Sequence, residues 1–158
     1  KLCRFSNSTY NMNKDNYAMD LKWNSTYRSS VTVSLPEYNG AGKKLSFNIV
    51  DMYNADVKEE RYEALDCQVI LQDAAGKKVK ARLSQYCTVY PPLPVRLSKM
   101  QYLLEKNEYK HQFQTVLIPV SGFEGDEEFD DTNITKIQFL FDHDNRGKIR
   151  LDDISFTK

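Results

Sequence analysis

The chain has no apolar run approaching the roughly 20 residues that a membrane helix requires, so no helical membrane span is expected. It has no excess of either charge: 22 Lys and Arg stand against 22 Asp and Glu in 158 residues. Bulk electrostatics therefore give no argument for a nucleic-acid or anionic-membrane partner. Cysteine is scarce. Three thiols are an odd, sparse set, which excludes a disulfide-built scaffold and offers no zinc spacing. Histidine is scarcer still, and neither His111 nor His143 stands near a serine or cysteine in a recognisable nucleophile context. No phosphate loop or glycine-rich elbow appears. The chain is read as non-catalytic, although a carboxylate pair assembled in space from the 22 acids stays open. No signal peptide is visible, and the strand-like opening KLCRF is what a mature form, or a domain cut from something longer, would show.

What is present is a period of two. Val31, Val33 and Leu35 share one face, as do Leu45, Phe47 and Ile49. FQTVLIPV at 113–120 reads as a strand with both faces fairly apolar, and IQFLF at 137–141, KIRL at 148–151 and ISF at 154–156 follow. Turn-forming stretches separate these runs: LPEYNGAGK, DAAGK, SGFEG and DNRG. The pattern predicts one all-β domain over residues 1–158, an antiparallel β-sandwich with at most one or two short helices; 57–65 and 97–109 read equally as short helices or as irregular loops crossing the sandwich. CQVILQDAAGKKVKARL reads as a hairpin turning at Asp73–Lys77, with Leu71 opposite Val79, Val69 opposite Ala81 and Cys67 opposite Leu83. Cys87 then falls beyond reach of Cys67 unless the chain bends, and Cys67 is expected to be a buried free thiol.

The last segment contains a parity conflict. Ile149 and Leu151 share one parity, Ile154 and Phe156 the other, and a straight strand cannot turn both pairs inward. A bulge at Asp152–Asp153 resolves it. The adjacent acids either meet local amides or a basic side chain, or they belong to a hard-cation site. The ending, with Ile137, Phe139, Phe141, Gly147, Ile149, Leu151, Asp152, Asp153, Ile154 and Phe156, resembles the terminal hairpin of galactose-binding-like jelly rolls. That superfamily includes many carbohydrate-binding modules of secreted bacterial glycoside hydrolases and esterases. FQTVLIPVSGFEG and WNSTYRSSVTVSLPEYNGAGKKLSFNIV match it more loosely. The resemblance implies a structural calcium ion tying the amino-terminal strand to the terminal one. Asp152 and Asp153 match the late ligands; the early position departs, with Asn7 where the family usually offers a carboxylate.

Ten tyrosines and one tryptophan give an aromatic-polar load suited to stacking on sugar rings, although strands also use aromatics simply to pack. Trp23, Tyr53, Tyr86, Tyr90 and Tyr102 lie at strand ends or loops, where binding residues concentrate, and are the candidate glycan contacts. The resemblance implies either a concave sheet groove or an edge-loop site; Asn48, Gln68 and Gln138 are out-facing residues that would line a groove. Sequons at Asn7, Asn24 and Asn133 barely exceed the roughly one expected by chance. The expected function is a non-catalytic carbohydrate-binding accessory module of a secreted or surface-displayed bacterial polysaccharide-processing protein, with a glycan and an attached catalytic domain as partners. The alternative is a structural or protein-interaction sandwich without a sugar site.

Overall fold

The computed structural model describes residues 2–7, 17–24, 28–52, 64–95, 108–143 and 146–158. In chain order the strands are β1 (Leu2–Asn7), β2 (Tyr17–Asn24), β3 (Ser29–Tyr38), β4 (Lys44–Asp51), β5 (Gln68–Asp73) and β6 (Lys78–Arg82). They continue as β7 (Leu93–Val95), β8 (Glu108–Lys110), β9 (Gln114–Pro119), β10 (Glu124–Gly125), β11 (Ile134–Phe141) and β12 (Arg146–Thr157). Two antiparallel five-stranded sheets stack face to face: β1-β2-β12-β4-β9 and β10-β6-β5-β11-β3, with β7 and β8 forming a separate ribbon. The chain crosses between the two layers repeatedly, giving the jelly-roll sandwich that the alternation and the resemblance implied.

Alternation decides which side chains fill the interior. Leu45, Phe47 and Ile49 of β4 pack toward Val69 and Leu71 of β5 and Ile137 and Phe139 of β11, all fully buried. Three aromatic pairs bridge the layers: Trp23 stacks on Phe141 at 4.5 Å, Phe47 meets Phe139 edge-on at 5.1 Å, and Phe156 stacks on Tyr38 at 4.7 Å. Each pair adds about 0.5–1.5 kcal/mol beyond its buried area.

The β5–β6 hairpin has the expected register, Leu71 opposite Val79 and Val69 opposite Ala81, with the Leu83 amide donating to the Cys67 carbonyl. Gly76 supplies the positive φ of 87°, and Asp73 clamps the turn by accepting from the Lys77 amide at 2.8 Å. Cys67 is buried and free, and Cys87 is free as well. Burial pushes the Cys67 thiol far above its ordinary range, and the neighbouring Asp66 charge adds to the push.

Two expectations need correction. Strands β11 and β12 do not form a hairpin: β11 pairs with β3 and β5, whereas β12 pairs with β2 and β4 in the opposite sheet. Each run turns an apolar face inward, and a short connection that crosses layers satisfies both faces as well as a hairpin would. The helix reading of 97–109 does not hold at its end, because Glu108 and Tyr109 belong to β8 and pair with Val95 and Pro94; the rest of that stretch, and most of 57–65, lie outside the described residues.

Candidate functional site: the outer face of the first sheet

Since Leu45, Phe47 and Ile49 of β4 face inward, Ser46, Asn48 and Val50 face outward. Register extends that outer face across the sheet. Leu117 lies opposite Ser46 and Thr115 opposite Asn48 on β9; Arg150 lies opposite Val50 on β12, and Asp20 opposite Arg150 on β2. Phe113, just before β9, continues its outer parity. Phe113 and Leu117 are 44% and 48% exposed, whereas Val50, beside Arg150, is buried.

The paired aspartates complete this face. Asp152 pairs with Asn48 and Ser155 with Ser46, so one extra residue is inserted in β12 between them. That bulge restores parity: Ile149 and Leu151 are buried, and Ile154 and Phe156 also pack against the core. Asp153 is the residue that absorbs the insertion, with φ at 50°, and its amide donates to Asp152 Oδ1 at 2.9 Å. Its carboxylate turns across the sheet and accepts from Asn48 Nδ2 at 2.9 Å, while Thr115 Oγ1 donates to Asn48 Oδ1 at 2.7 Å. One hydrogen-bonded line thus runs over β12, β4 and β9. Beside it Arg150 grips Asp20 through Nε at 2.6 Å and Nη2 at 2.9 Å, a two-pronged, charge-assisted contact. The Asp20 hydrogen bonds hold the Arg150 guanidinium above its ordinary pKa, against a smaller push from burial.

The residues singled out from sequence are dispersed. Trp23 is buried at 7% exposure, stacked on Phe141, and its indole lies over Gly147, where any Cβ would overlap the ring. It is an interior residue and does not offer a face to a sugar. Tyr86 is half-exposed, but its hydroxyl donates to the Gly122 carbonyl at 2.9 Å, so it latches two turns together. Tyr90 is the most exposed large apolar residue described, at 63%, and its amide donates to Gln114 Oε1, which sets it beside the start of β9. Tyr53 and Tyr102 lie outside the described residues.

The donors foreseen for calcium do not come together. Asn7 pairs with Tyr17, so β2 stands between it and β12; Asp153 is turned toward β4 instead. Among the described residues no three His, Cys, Asp or Glu side chains gather, and the described residues do not fit that ion site. Of the out-facing trio, Asn48 lies at the centre of the network, while Gln68 and Gln138 lie on the outer face of the other sheet.

Sequence reasoning missed Phe113, Thr115, Leu117 and Arg150. The double-sided apolarity of FQTVLIPV was the signal for Phe113 and Leu117, since an edge strand with one buried face has no packing reason to be apolar on the other.

No family model matches this chain, and no curated protein does. Solved structures do. A family 30 carbohydrate-binding module of a cellulosomal cellulase of Clostridium thermocellum superposes with a TM-score of 0.63 at 15% identity, over 99% of this chain and 82% of that one. A family 11 module from the same organism, in complex with a β-1,3-1,4-mixed-linked tetrasaccharide, gives 0.59 at 15% identity, over 98% and 81%. A second family 30 structure gives 0.62 at 16%, over 98% and 73%. The fold is theirs.

Proposed function

We propose that this chain is a non-catalytic carbohydrate-binding module that holds a glycan across the outer face of its first sheet. In this reading Phe113 and Leu117 offer apolar surface to the faces of sugar rings, and Asn48, Thr115 and the Arg150–Asp20 pair meet the hydroxyls. One observation carries it: exposed apolar side chains and a pre-ordered hydrogen-bonding line share one sheet face, and few precisely placed polar groups among apolar ones are what ligand sites use. The likeness of fold to two families of carbohydrate-binding module supports it. The same proposal places the chain outside a bacterial cell, as the accessory part of a polysaccharide-processing protein.

Affinity electrophoresis over a polysaccharide panel including mixed-linkage β-glucan tests the reading. Retardation is expected, weakened at least about fivefold in Leu117→Ala and Phe113→Ala, which lose about 1 kcal/mol or more of ring contact while melting close to the parent. A panel that leaves mobility untouched would favour a structural or protein-interaction domain.

A further inference from the structure

We propose, resting on the reading above, that the residue inserted in β12 serves the ligand rather than the fold, and that Asp153 is a glycan-binding residue of this face. The interior does not need the insertion. Were Asp153 absent, the Asp152–Asn48 and Ser155–Ser46 pairs would join without interruption, and ordinary alternation would carry Leu151, Ile154 and Phe156 inward. The insertion instead has costs. It breaks the ladder to β4 and puts an aspartate at a φ of 50°, the sole positive φ of a non-glycine among the described residues. Its effect is seen on the outer side alone. There it raises a carboxylate beside Asn48, whose amide orientation is fixed by Thr115 on its other end. Bulges are devices that re-aim a side chain, and they concentrate next to functional sites.

The chemistry follows from what the carboxylate lacks. Arg150 is committed to Asp20, and among the described residues no basic side chain pairs with Asp153. An ionised carboxylate accepts hydrogen bonds at both oxygens and donates none. Neighbouring hydroxyls of a sugar ring are donors of matching chemistry, and Asn48 already holds Oδ2 in place.

The test is Asp153→Gly, which keeps the backbone conformation and removes the carboxylate. Binding of the polymer that retards the parent chain is measured by affinity electrophoresis and calorimetry, with thermal melting alongside. The expected result is a loss of about 10- to 100-fold in affinity, as for a hydrogen bond to a charged group, with a melting temperature within about 3 °C of the parent's. Binding within twofold of the parent would overturn the inference while leaving the module reading standing. A parent chain that binds nothing would overturn both.

Discussion

Two single-residue deletions in the same strand should have opposite consequences. Removing Asp153 leaves every apolar residue of β12 on its present side. It relieves a left-handed backbone, worth about 1 kcal/mol for a non-glycine residue, and forfeits the hydrogen bond from Asn48, worth about 1 kcal/mol. The two nearly cancel, so the melting temperature should stay within about 3 °C of the parent. Removing Ser155 shortens the strand just after the bulge and reverses the parity of everything beyond. Phe156 then leaves Tyr38, on which it stacks at 4.7 Å, and Thr157 turns inward. Losing part of a phenylalanine's burial, about 1.5 kcal/mol, a stacked pair, about 1 kcal/mol, and burying a hydroxyl, about 1 kcal/mol, amounts to roughly 3.5 kcal/mol. For a domain of this size that lowers the midpoint by about 7–14 °C. Thermal denaturation followed by circular dichroism reads both. Equal falls for the two deletions would refute the register argument, because they would show that β12 does not tolerate loss of its inserted residue.

Further perturbations probe the frame around the site. Gly147→Ala should cost about 1–3 kcal/mol by overpacking, since the added methyl collides with a Trp23 ring already held by Phe141; an unchanged urea midpoint would mean that the indole is not packed there. Asp73 gives a pH signature. Burial would raise its pKa, but amides of Asp130, Lys77, Ala75 and Gly76 outweigh that and hold it below the ordinary value. A folded pKa below the unfolded one contributes stability that is complete above about pH 4 and is lost as pH falls through the folded value. The stability gap between the parent and Asp73→Asn should accordingly be widest near neutrality and close in acid; a gap independent of pH would contradict the assignment.

The sandwich was legible wherever information is local. The β5–β6 register follows from alternation plus one glycine at the turn, both within a few residues of each other. The bulge was legible for a similar reason: four apolar residues between Ile149 and Phe156 cannot share an interior on a straight strand. Pairing partners were not legible. The runs IQFLF and KIRL present the same pattern whether they bond to each other or face each other from different sheets, and only strands far away in sequence, β2 to β5, decide between those arrangements. Trp23 failed for a related reason: its polar neighbours in KWNSTY suggest surface, while its burial is set by Gly147 and Phe141 at the other end of the chain. The candidate site was half-visible. Asn48 and Asp153 were noticed separately, but nothing local says that β4 lies beside β12 and brings them to 2.9 Å.

The place of β12 has a consequence for how the molecule is made. The last strand in chain order is the central strand of its sheet, flanked by β2 and β4. Until it emerges during synthesis, those two strands have a gap where their shared neighbour should lie, and half the roof over the aromatic interior is missing. Such long-range closure slows folding, and the first sheet stays open until β12 takes its central place between β2 and β4.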